Sequence, residues 1–364
     1  MTMRRKLSLL VSLTIACLAP ASASAYLPHG FIGISPQTSP SGSDYELMRK
    51  AGVESLRYPL FWNVIQADSG SPLDTDWTSF DHTVALAAES HMRVMPLVFG
   101  SPDWVAQEAI ELPVRTAWQR FGWSSFLRAA VDRYGPDGEF WEENPELPFL
   151  PIHKWEIWNE ENLVTFAKNP DPARYATLLR ISGRVLHRAD PQSKVLVGGL
   201  FGRPLQTPPN ITSGSYVAQL YKAGNVKPFF DGVALHPYVG DAGEMGAQLT
   251  NLRRIMRKNG DPLTPLYVTE LGWGSDDGPT RWQRGVQGQA EELSRSFELL
   301  SRNRGRWHVG GVWWFTWSDE GGSCIFCSSA GLLTTSREAK PSWYRFNEWT
   351  GGNADTVPRA RLGE

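Results

Sequence analysis

Lys154-Trp155-Glu156-Ile157-Trp158-Asn159-Glu160 is a short apolar, aromatic-rich run that ends on a carboxylate. A run of that length and composition, without helical spacing, predicts a buried strand. A second run, Pro265-Leu266-Tyr267-Val268-Thr269-Glu270, has the same design. Working outward, similar runs occupy 31–34, 54–58, 93–99, 194–198, 232–236 and 309–316, which with 153–157 and 266–270 makes eight strands. Helical patterns lie between them. Asp171-Pro172 offers an N-cap and a first-turn proline, and Tyr175, Leu178, Leu179, Ser182, Val185 and Leu186 follow on one face. Trp118, Phe121, Leu127, Val131 and Tyr134 form a looser stripe, and Leu293, Phe297 and Leu300 another; both read as core. Eight strands alternating with helices, and no internal repeat or linker, predict an α/β chain folded as a single-domain (β/α)8 barrel. The long loops 101–115 and 159–171 then lie on the strand-end face, and the Glu- and Pro-rich segment 136–151 on the opposite one.

The N-terminus reads as basic Arg4-Arg5-Lys6, an apolar stretch from Leu7 to about Leu18, and Ala23-Ser24-Ala25, the pattern of a secretory signal peptide. The apolar stretch is short for a bilayer span, and the residues before Cys17 fit a lipoprotein site poorly. The expected organisation is therefore a signal peptide at 1–25, a barrel at 26–350 and a C-terminal tail at 351–364, with a secreted or extracytoplasmic location. That includes the periplasm and the cell surface, with no integral span after cleavage. Cleavage leaves 33 of the 36 basic residues against 38 acidic ones, a formal charge of −5. No nucleic-acid partner is expected from that balance. Cys324 and Cys327, in Cys-Ile-Phe-Cys, lack the second ligand pair of a zinc site. In an exported chain they predict a local disulfide. Asn210-Ile211-Thr212 is a glycosylation sequon.

A carboxylate at the C-terminal end of a parallel strand faces the mouth of the fold, where α/β proteins carry their chemistry. Two carboxylates there, Glu160 and Glu270, are the minimum apparatus for cleaving a glycosidic bond. One must stay protonated and the other ionised. Trp158 and Glu161 beside Glu160 favour its protonated form, which makes it the acid. Around Glu270 the expected partners are Arg57, His236 and Tyr238, a cation and a phenol that would keep it ionised as the nucleophile. Asn159 can donate its amide to a sugar hydroxyl. Trp317 is expected to floor the reacting sugar, and Trp273, Trp62 and Trp104 follow strand ends where they could line further subsites. Sixteen Trp, sixteen Phe and ten Tyr exceed the usual needs of a core, and sugar faces stack well on flat rings. Trp313 and Trp314 must point to opposite faces of their strand, so at least one is packing.

Together these residues resemble the clan A retaining glycoside hydrolases, most closely the family 39 and exopolysaccharide-hydrolase type, over 28–350. Trp158-Asn159-Glu160 matches the acid/base motif after the fourth strand, and Val268-Thr269-Glu270 the nucleophile ending the seventh. Arg57, the His236/Tyr238 pair and Trp317 match the arginine, the His/Tyr pair and the tryptophan of the second, sixth and eighth strands. Ala339 to Phe346 resembles the closing helix. Glu161 departs from the pattern, which has proline there; the residues alone suggest a looser backbone and an added charge at the cleft.

The resemblance implies double-displacement cleavage of a poly- or oligosaccharide, with no metal or cofactor. A transglycosylase on the same scaffold and a non-catalytic carbohydrate-binding barrel are the alternatives. No G-x-S-x-G or H-E-x-x-H motif points to a serine or zinc hydrolase. Partner proteins are not legible in the sequence.

Overall fold

The strands are β1 Ile32–Ile34, β2 Ser55–Phe61, β3 Arg93–Phe99, β4 Lys154–Asn159, β5 Lys194–Phe201, β6 Gly232–His236, β7 Leu266–Leu271 and β8 Val309–Trp314. In the computed structural model they pair in sequence order, all parallel, and β8 closes on β1. The eight-stranded barrel expected from the runs is the fold observed. The structure describes residues 27–67, 74–322 and 324–360, so the export segment at 1–25, with Cys17, lies outside the described residues.

Period-two alternation sorts the side chains into two cores. Met95, Leu196, Ala234, Tyr267 and Trp313 point inward and fill the lower barrel. Trp155, Ile157, Val195, Val197, Val268 and Trp314 point outward into the layer between strands and helices. Trp313 and Trp314 therefore face opposite ways, and both are packing.

The helix Pro172–Ala189 begins where its signals place it, with the Asp171 carboxylate accepting from the N–H groups of Ala173 and Arg174. The helix Ala117–Tyr134 is closed by a Thr116/Gln119 capping box. Its stripe corrects the sequence reading at two positions. Trp118 and Phe121 are 50% and 53% exposed, stacked on each other at the first turn rather than in the core. The core face of that helix runs instead through Trp123, Phe126, Leu127, Ala130, Val131 and Tyr134.

The chain end packs back onto the barrel. Asn353 N–H donates to Lys50 O, and Ala360 N–H to Ala339 O. Asn210 of the sequon accepts from the Val164 N–H and pins two strand-end loops together. No helix among the described residues is long and apolar enough to cross a membrane.

Candidate active site

Alternation breaks at the end of β4, and the break builds the site. Ile157 and Trp158 both lie in the outer layer, and the pairing with β5 skips from Ile157 to Asn159. Trp158 and Glu160 adopt φ +72° and +41°, left-handed conformations that cost non-glycine residues energy and need a surrounding that holds them. The Trp158 indole supplies part of that hold, wedged against Phe99 and Trp123 and donating to Phe166 O. The result turns Asn159 and Glu160 toward the barrel mouth together.

Glu270 lies near the end of β7, and one oxygen of each carboxylate, with a ring nitrogen of His236, falls within 4.8 Å of the others. Glu160 is 6% exposed, and the Glu270 side chain 14%. Arg57, on β2, is the hub below them. Its guanidinium donates to Glu270 Oε1 at 2.7 Å, to both oxygens of Glu156 at 2.8 and 3.0 Å, to Asn159 Oδ1 at 3.0 Å and to Ser35 Oγ at 3.1 Å. Burial opposes its charge, but Glu156 and Glu270 outweigh burial and raise its pKa. The Tyr238 hydroxyl donates to Glu270 Oε2 at 2.5 Å; burial and the Glu270 charge raise its pKa, so it stays a donor.

His236 belongs chiefly to the other carboxylate, which corrects the sequence expectation. Its Nδ1 lies 2.8 Å from Glu160 Oε1 and 3.6 Å from Glu270 Oε2. Burial lowers the imidazole pKa and keeps the ring neutral. Its Nε2 lies 3.0 Å from Thr269 Oγ1, and that hydroxyl donates onward to Glu156 Oε1 at 3.4 Å. The contact at Nδ1 favours the ionised form of Glu160, and the Arg57 guanidinium stands 3.5 Å from Nε2 on the other side of the ring. Gly199 makes room for the ring, since a Cβ there would collide with it.

Burial raises the pKa of Glu160, and the Glu270 charge adds to the rise. Burial also raises Glu270, opposed by Arg57 and Tyr238. As a coupled pair the two share one proton above the ordinary carboxylate range. It sits on Glu160, because Arg57 and Tyr238 both favour the ionised form of Glu270.

Several expectations move. Trp317 is 2% exposed, its indole donating to Asp44 Oδ1 and packing on Trp343 behind the barrel end. It offers no face to a ligand. Trp273 is wholly buried, donating to Val239 O beside Trp314, and Trp62 is buried against Trp104 and Trp123. The aromatic that leaves β8 at the site is Phe315, edge-on to Tyr238 with ring centroids 6.1 Å apart. Counting from the strand's last residue, Trp314, would have found it. Glu161 adds no charge at the cleft. It is fully buried behind β4 and β5, near Gly198, with neither oxygen hydrogen-bonded, and burial, with the Glu156 charge, raises its pKa well above the usual carboxylate range, which favours the neutral form. Glu156, the third carboxylate under the site, was overlooked because nothing in the sequence tells an inward strand residue that anchors an arginine from one that fills space.

Cys324 and Cys327 form a disulfide with Cα atoms 5.3 Å apart, beside the same aromatics. A cavity of about 610 Å3 opens at the strand starts, lined by His91, Arg93, His153 and Lys154, at the barrel end away from both carboxylates.

No family model and no curated protein matches the chain. Solved structures do. A family 39 glycoside hydrolase from the gut symbiont Bacteroides cellulosilyticus WH2 superposes with TM-score 0.64 at 20% identity, over 88% of this chain and 63% of that one. A family 39 β-xylosidase from Caulobacter crescentus gives 0.62 at 19%, over 89% and 72%. The chain shares the fold of the family 39 glycoside hydrolases. An intracellular xylanase from Thermoanaerobacterium saccharolyticum gives 0.59 at 14%, over 92% of this chain and all of that one. This chain thus spans about two-thirds of the length of the family 39 structures, and nearly the same length as the xylanase.

Proposed function

We propose that the chain is a retaining glycoside hydrolase acting on a poly- or oligosaccharide. The observation that carries this reading is the approach of Glu160 and Glu270 to within 4.8 Å at the ends of two strands of one barrel. An oxygen of each carboxylate within 4.8 Å suits the roughly 5 to 5.5 Å between carboxyl groups in retaining enzymes better than the roughly 6.5 to 9.5 Å that seats a water in inverting ones. The names of the structural neighbours, β-xylosidase and xylanase, support the same reaction class.

Glu270 attacks the anomeric carbon while Glu160 gives its proton to the departing oxygen, leaving a glycosyl ester on Glu270 and a carboxylate at Glu160. Glu160 then takes a proton from water, whose oxygen attacks the same carbon and returns Glu270 as a carboxylate. Arg57 and Tyr238 hold the nucleophile ionised and aimed. His236 stands against the acid through Nδ1 and is held from its other side by Thr269, which lies on Glu156. Asn159 has its oxygen turned to Arg57, so its NH2 is the group left to meet a sugar hydroxyl. Proton NMR of the first-formed product anomer tests the mechanism: net retention is expected, and inversion would overturn it.

The basic start and the Ala-Ser-Ala site support export with cleavage between Ala25 and Tyr26, and the disulfide suits an oxidising compartment. N-terminal sequencing of protein from culture medium checks this, and an intact Met1 end in the cytoplasm would refute it.

A further inference from the structure

We propose that Phe326, presented by the Cys324–Cys327 loop, is a positioning residue that keeps the Tyr238 hydroxyl on Glu270; this rests on the glycosidase reading above. Tyr238 reaches Glu270 from a loop just past β6, where the backbone alone does not fix the ring. Its ring is instead held by aromatics from the end of β5 and from the segment after β8. Phe201, at the end of β5, lies 5.9 Å away between centroids, Phe315 6.1 Å, and Phe326 5.2 Å, the nearest of the three. Phe326 is itself backed by Trp282 at 6.3 Å and Phe315 at 6.4 Å. Removing it opens the side of Tyr238 that faces the loop after β8.

The disulfide explains why Phe326 points that way. It closes only four residues, so by chain entropy it contributes little to global stability. Its effect is local: Phe326 is 5% exposed while its neighbour Ile325 is 55% exposed, one turned in and the other out. The downstream side of the loop is anchored, with Ser329 O accepting from Ser275 N–H, Lys340 Nζ and Gln289 Nε2. Cys327 stands two residues before that anchor, and the bond to it carries the hold back to Cys324. The chain from anchor to nucleophile is thus Ser329, Cys327, Phe326, Tyr238, Glu270.

A double-mutant cycle tests this. Tyr238→Phe, Phe326→Leu, the combination, and the Cys324→Ser/Cys327→Ser pair are assayed on an aryl glycoside that the wild type cleaves, with thermal midpoints measured alongside. Losing the hydrogen bond to a charged group should cost Tyr238→Phe about 10- to 100-fold in kcat. Phe326→Leu and the double serine variant should each cost about tenfold in kcat with KM little changed, and add nothing in the Tyr238→Phe background. Phe326→Tyr, which keeps the ring, should restore the rate. Additive losses, a change confined to KM, or a lower thermal midpoint with unchanged kcat would overturn the proposal. Should the wild type cleave no glycoside, the glycosidase reading fails by itself. The crystal structure of Phe326→Leu then decides: a Tyr238 hydroxyl still on Glu270 defeats the positioning role, and one withdrawn beyond about 3.5 Å supports it.

Discussion

His236 Nδ1 stands 2.8 Å from Glu160 and 3.6 Å from Glu270, so the one imidazole at the site is the partner of the β4 glutamate. The same ring reaches Thr269, the residue immediately before Glu270, with its other nitrogen. The two carboxylates are therefore joined through a neutral histidine, and their protonation states depend on each other.

Glu270→Ala should abolish turnover on every substrate. Glu160→Ala should lose about 10²- to 10⁴-fold on substrates with poor leaving groups and spare the first step where no proton is needed. Azide should restore the second step by occupying the space left by the side chain, giving a glycosyl azide of retained configuration. Product NMR reads this directly, and an inert azide would mean that Glu160 is not the acid/base.

His236→Ala should change the pH profile as well as the rate. The imidazole contact favours the ionised form of Glu160, so its loss raises the Glu160 pKa further. Acid catalysis is present while Glu160 is protonated and fades as pH rises through its pKa. The alkaline limb of kcat/KM should therefore move to higher pH, at a lower plateau. A limb that stays in place would show that His236 does not couple to Glu160.

Glu156→Ala leaves Arg57 with one carboxylate in a buried site. Breaking such a pair costs about 3 to 5 kcal/mol, and the Arg57 that aims Glu270 is released at the same time. Urea unfolding and kcat should both fall. A loss of activity at unchanged stability would place Glu156 in a purely catalytic role.

Glu161→Gln should stabilise the protein in neutral and alkaline solution. The folded-state pKa of Glu161 is raised, so the unfolded chain ionises first, from about pH 4.3. From there wild-type stability declines with rising pH until the folded pKa is reached. The neutral amide has no such decline. Its midpoint should exceed the wild type by a few degrees at pH 8, since about 1 kcal/mol moves a domain of this size by roughly 2 °C, and the two should converge near pH 4. Parallel pH profiles for the two proteins would show that Glu161 is ionised in the fold.

Trp317→Phe and Phe315→Ala should separate two aromatics that the sequence does not distinguish. Trp317 loses its bond to Asp44, so the thermal midpoint falls while KM holds. Phe315 borders the site, so KM or kcat changes with little effect on the midpoint. The reverse pattern would restore Trp317 as a sugar platform.

The sequence by itself determined the barrel and the two glutamates. Eight short apolar runs alternating with helical patterns leave few ways to bury every apolar face, and a strand that ends on Glu160 or Glu270 delivers its carboxylate to the strand-end face whatever surrounds it. Tertiary structure alone decided the partners. Whether His236 serves Glu160 or Glu270 depends on the stagger of β4, β6 and β7, and the break in alternation at Trp158 is held by side chains from other elements. Glu156 and Glu161 are both acidic, five residues apart, yet one anchors Arg57 and the other is buried behind the sheet with neither oxygen hydrogen-bonded. Local sequence cannot separate them, because protonation and role follow from desolvation and from charges brought together across the barrel.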